Sequence, residues 1–77
     1  MSIVSLREML EDARRGKYAV PLFDTQNMAM IRSAVQVAEE EGSPVILAGV
    51  EFDFEGDRLG CWAALALRAA LGAKVPV

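Results

Sequence analysis

The residues best suited to chemistry in this chain are carboxylates and amides, because it holds no histidine and a single cysteine. Without an imidazole these residues supply no histidine general base, no Ser/His/Asp or Cys/His nucleophile pair and no histidine-ligated zinc. One thiol also excludes an intrachain disulfide and a four-cysteine zinc site. Asp24 and Asn27 follow directly on the apolar run 18–23, where a polar side chain can bind a ligand or cap the next helix. Glu51, Asp53, Glu55 and Asp57 alternate along an acidic stretch. A calcium loop of the EF-hand type needs glycine at its sixth position, and counting from Asp53 that position is Arg58. A solvated acidic turn is the simpler reading. Cys61 and Trp62 fall at a helix start, where the amide dipole can lower a thiol pKa, yet no base lies nearby in sequence. Packing is the simpler role for that cysteine. Gly56 and Gly60 lack the leading strand and the Lys-Ser or Lys-Thr of a phosphate loop.

These residues have to be positioned by a short series of elements. Ser5 followed by Glu8 matches a capping box, so a helix is expected over 5–16. Leu6, Met9, Leu10 and Ala13 then form one apolar stripe, and Gly16 can close the helix in the left-handed conformation. The run 18–23 reads as a strand in which Pro21 removes one ladder donor. Asp24 or Thr25 can cap a helix over 25–41, with Met28, Ile31, Ala34, Val35 and Ala38 at helical period. Glu39, Glu40 and Glu41 oppose the dipole of that helix at its C-terminus, and Gly42 is its natural stop. Residues 44–50 form a β-rich run without alternation, as in a strand covered on both faces. A third helix is expected over 58–71, and residues 75–77 begin a third apolar run.

Strand-helix alternation with short connections implies parallel strands joined by right-handed crossovers. Three helices and three short strands leave too little chain to cover both faces of such a sheet, so the expectation is α/β: the opening portion of a larger closed barrel. The 77 residues allow one domain, and a core this small comes near to balancing chain entropy. A net charge of −3 and a pI near 4.8, with only Arg14, Arg15 and Lys17 clustered, argue against nucleic acid or an anionic membrane as partner. Acids and bases come too early for the apolar core expected of a secretory leader, and no apolar stretch reaches the roughly 18 residues of a membrane span. The expected location is the cytoplasm.

The stretch VSLREMLEDARRGKYAVPLFDTQNMAMIRSAVQVAEEEGSP, then VILAGVE and the terminal KVPV, resembles the beginning of the class II ketose-bisphosphate aldolases, which include fructose- and tagatose-bisphosphate enzymes. The resemblance is close over residues 4–51, is one of pattern over 52–72, and returns in the last four residues. It implies the N-terminal fragment of a TIM (β/α)8 barrel, a capping helix followed by β-α-β-α-β. It also implies a zinc ion that polarises a ketose carbonyl, histidine metal ligands, and an aspartate that moves a proton at the aldehyde oxygen. In the family that aspartate and the first histidine lie in a His-Leu-Asp-His segment that would follow Val77, so this chain alone is expected to be inactive, without a catalytic residue or metal ligand of its own. Asp24, Asn27 and Glu51 would stand at the C-terminal ends of the first two strands, where barrels place their chemistry, as substrate-binding residues for a sugar phosphate. Asp24 and Val50 replace the Asn and hydroxyl residue usual in the fructose enzymes, so the resemblance defines a substrate class and not the sugar. A different expectation is a non-catalytic α/β module that self-associates or binds a protein partner through its uncovered sheet face.

Overall fold

A computed structural model describes residues 3–49 and 56–77. The elements are α1 (Leu6–Gly16), β1 (Leu22–Asp24), α2 (Met28–Glu41), β2 (Ile46–Ala48) and α3 (Arg58–Gly72). The two strands pair in parallel with Leu22 opposite Ile46, Phe23 opposite Leu47 and Asp24 opposite Ala48. The result is a small α/β unit, a two-stranded parallel sheet with three helices.

α1 starts where its cap directs it. The Ser5 hydroxyl accepts the Glu8 N–H at 3.1 Å, satisfying one of the donors that a helix start leaves unpaired. Its end differs from expectation. Lys17, not Gly16, takes the left-handed conformation, at φ 58°, and its N–H bonds back to Ala13 and Arg14 carbonyls. Gly16 serves a second purpose, since a Cβ there would lie 2.6 Å and 2.8 Å from Tyr18 Cε1 and Cδ1. The glycine gives the Tyr18 ring its place, and the lysine absorbs the turn.

Three further boundaries move for reasons of hydrogen bonding. The first strand, expected over 18–23, is a ladder over Leu22–Asp24, because Pro21 has no N–H to give and contributes only its carbonyl, to Ile46 N at 3.0 Å. α2 begins at Met28 rather than at residue 25, capped by Asn27, whose Oδ1 accepts the Met30 N–H at 2.9 Å. Neither Asp24 nor Thr25 is the cap: Thr25 still belongs to the sheet, its N–H donating to the Ala48 carbonyl at 2.8 Å. The run 75–77, expected to open a third strand, is not one. Val45 N donates to Pro76 O at 3.1 Å and Val4 N to Val77 O at 3.4 Å, but Pro76 has no donor to return, so no ladder forms. β2 is likewise shorter than the expected 44–50, and Val50 lies outside the described residues.

The core is thin. Met9 and Ala13 of α1, Ile31, Val35 and Ala38 of α2, Val45, Ala70 of α3 and Val75 are its buried apolar residues. Ala38, Val45 and Val75 touch one another, with Val77 packed against them. The apolar run 44–50 had suggested a strand covered on both faces, and Ile46–Ala48 of β2 are half-buried; β1 is more open. Leu22 and Phe23, which point to opposite faces of β1, are 56% and 44% exposed.

Candidate functional site

In a parallel sheet the side chains at the C-terminal strand ends, and the loops that follow, are where chemistry is usually placed. Here those ends are Asp24 and Ala48. Asp24 closes β1 with its side chain exposed, and Asn27 stands at the helix start that follows. The amide oxygen of Asn27 is committed to the Met30 N–H, so its −NH2 is the part directed elsewhere. Glu51 lies outside the described residues. The structure therefore brings Asp24 and Asn27 to one loop.

Between them sits a residue that sequence reasoning named only as a cap. Thr25 is 2% exposed, the one buried polar side chain among the described residues. Its hydroxyl donates to the Ala48 carbonyl at 3.0 Å and accepts the indole N–H of Trp62 at 2.9 Å. With the backbone bond from Thr25 N to the same carbonyl, three hydrogen bonds tie the end of β1 to the end of β2 and to the first turns of α3. Both capacities of the hydroxyl are thus used inside the protein, which stabilises a buried polar group that would otherwise cost about 1–3 kcal/mol. A hydroxyl residue directly after a strand and an isolated tryptophan in a helix were the available signals, but they lie 37 residues apart.

Beside this tie is a hollow of about 170 Å³ whose wall includes Gln26, Asn27, Asp57, Arg58, Cys61 and Trp62. Asp57 precedes α3 without a side-chain capping bond, and Cys61 is exposed. The wall sets amide and charged side chains beside the apolar Trp62 and Leu65. It is not suited to a zinc centre. The chain has no histidine, and among the described residues no three Cys, Asp or Glu side chains are grouped to hold a metal ion. The residues described do not fit zinc, and no step of chemistry through a metal follows from them.

A parallel βαβ unit with a polar loop at its strand ends defines the α/β class in which enzymes of many kinds are built. The comparison with known families is more particular: the model of fructose-bisphosphate aldolase class-II matches residues 4–77, and the chain belongs to that family. A relative of that kind is the fructose-bisphosphate aldolase of Geobacillus stearothermophilus, 53% identical over 47 residues. That alignment covers 61% of this chain and 16% of the relative, so the chain matches only a small part of the relative's length. No solved structure matches.

Proposed function

We propose that the chain supplies the first βα units of a class II aldolase barrel, and that the complete barrel catalyses reversible aldol cleavage of a ketose bisphosphate to dihydroxyacetone phosphate and an aldehyde. The family match over residues 4–77 carries this reading. The parallel pairing of β1 and β2 supports it, since adjacent barrel strands pair in this way. So do the exposed apolar side chains on both faces of β1, which further polypeptide would cover.

In this reading Asp24, the Asn27 amide and Glu51 line the sugar-phosphate cleft and hydrogen-bond its hydroxyls. Zinc is held by ligands other than the described residues, and this chain alone turns over no substrate. A cytoplasmic place in carbohydrate breakdown, at the glycolytic level, goes with such a reaction. Among the described residues no helix is long and apolar enough to cross a membrane.

The test is an aldol-cleavage assay of the purified 77-residue chain with fructose and tagatose bisphosphates and added zinc. Background rates are expected with both sugars. Turnover well above background would refute the inactivity of this chain, and restored turnover on mixing it with the remainder of a related barrel would support its place in one.

A further inference from the structure

Among the described residues three pairs hold β1 in register with β2, from Leu22 opposite Ile46 to Asp24 opposite Ala48. In most strands burial picks the register, because a slip of one residue turns the buried side chains out to solvent. β1 lacks that guide. Leu22 and Phe23, one on each face, are both exposed, so its apolar side chains distinguish poorly between the two faces. Its backbone distinguishes no better, since the carbonyls and N–H groups of neighbouring residues are alike and Pro21 supplies a carbonyl alone.

The group that does distinguish the faces is the Thr25 hydroxyl. Buried at 2% exposure, it donates to the Ala48 carbonyl of β2 at 3.0 Å and accepts the Trp62 indole N–H of α3 at 2.9 Å. One oxygen meets both. A slip of one residue would bring Asp24 or Gln26 to this place. An ionised Asp24 accepts but has no proton for the Ala48 carbonyl, and burying its charge there would be costly. Gln26 keeps its donor and acceptor on separate atoms at the end of a longer side chain. Thr25 is the residue of the three that fits. Because α3 packs against α2, the bond to Trp62 marks the face Thr25 occupies as the helix side of the sheet. By alternation Asp24 is then on the opposite face, turned away from both helices.

We propose that Thr25 and Trp62 are positioning residues: their hydrogen bond locks the register of β1 and thereby sets Asp24 on the face of the sheet turned away from α2 and α3. Neither meets substrate itself; both act through Asp24. That this face lines a sugar-phosphate cleft rests on the aldolase reading above, whereas the register lock does not.

Nuclear magnetic resonance of the 77-residue chain tests the lock. The parent is expected to show one set of signals for residues 22–25, cross-strand contacts between Asp24 and Ala48, and a Trp62 indole N–H that is slow to exchange. Thr25→Val keeps the shape and removes the hydroxyl. Its amides at 22–25 are expected to exchange about tenfold faster, beyond any increase in α1, with a second set of signals confined to these residues. Trp62→Phe removes the indole donor and should produce the same local change, the double variant should add little, and Thr25→Ser should restore the parent pattern. Circular dichroism checks that each variant is folded; if Thr25→Val is not, Trp62→Phe and Thr25→Ser decide. Exchange that rises equally throughout the chain, or a single unshifted register in the folded variants, would overturn the proposal. In a barrel completed by the remainder of a related enzyme, Thr25→Val should raise KM for the sugar bisphosphate about fivefold, with kcat changed less, and Thr25→Ser should recover it. An unmoved KM overturns the positioning of Asp24 for binding. Absence of turnover in the parent barrel counts against the aldolase reading, and the resonance experiment then decides the register by itself.

Discussion

Thr25 concentrates in one side chain what the strand ends need: a donor for the Ala48 carbonyl and an acceptor for the Trp62 indole. Thr25→Val keeps the shape and removes both bonds, leaving the indole N–H of Trp62 without this acceptor. A loss of about 1–3 kcal/mol is expected, measured by urea denaturation followed through Trp62 fluorescence, whereas Thr25→Ser should retain most of the stability. Residues 16 and 17 make a second residue-scale case. Lys17→Gly relieves a left-handed lysine at φ 58° and is expected to stabilise by about 1 kcal/mol, while Gly16→Ala moves the half-exposed Tyr18 ring aside and offsets its gain in helix propensity. Thermal melts should rise for Lys17→Gly and change less for Gly16→Ala.

Among the elements, α2 depends on a cap that the chain chooses late. Asp24, Thr25 and Asn27 are all competent caps by residue type. Thr25 is withdrawn from the competition because its N–H and hydroxyl are both spent on β2, and Asn27 is the next side chain that can reach a free helical N–H. Asn27→Ala is expected to cost about 1 kcal/mol and Asn27→Asp to be nearly neutral, read from denaturation midpoints. If Asn27 also meets substrate in a complete barrel, Asn27→Asp would separate the two duties: stability kept and sugar-phosphate binding changed. α1 and the stop of α2 at Gly42 were legible from sequence because their caps are local, each bond spanning only three to five residues. The strand bounds were not, since Pro21 and Pro76 act on the ladder through donors they lack, and that matters only once a partner strand is known.

Over the whole molecule, a handful of small buried residues holds three helices and two short strands together. Ile31 is 1% exposed and among the largest fully buried side chains. Ile31→Ala is expected to cost about 2–5 kcal/mol, which for so thin a core means loss of the cooperative unfolding transition in calorimetry. Leu22 and Phe23 of β1 stay exposed, as do large apolar side chains on all three helices, Leu6, Val37 and Leu67 among them. Helical periodicity, the alternation of strand and helix, and the absence of histidine were set by the order of residues alone, because each is a property of near neighbours or of composition. The tie from Thr25 to Trp62 and the transfer of the α2 cap to Asn27 were decided only by tertiary structure. Each joins groups from different elements, and no local pattern records which distant partner a hydrogen-bonding or charged side chain will meet.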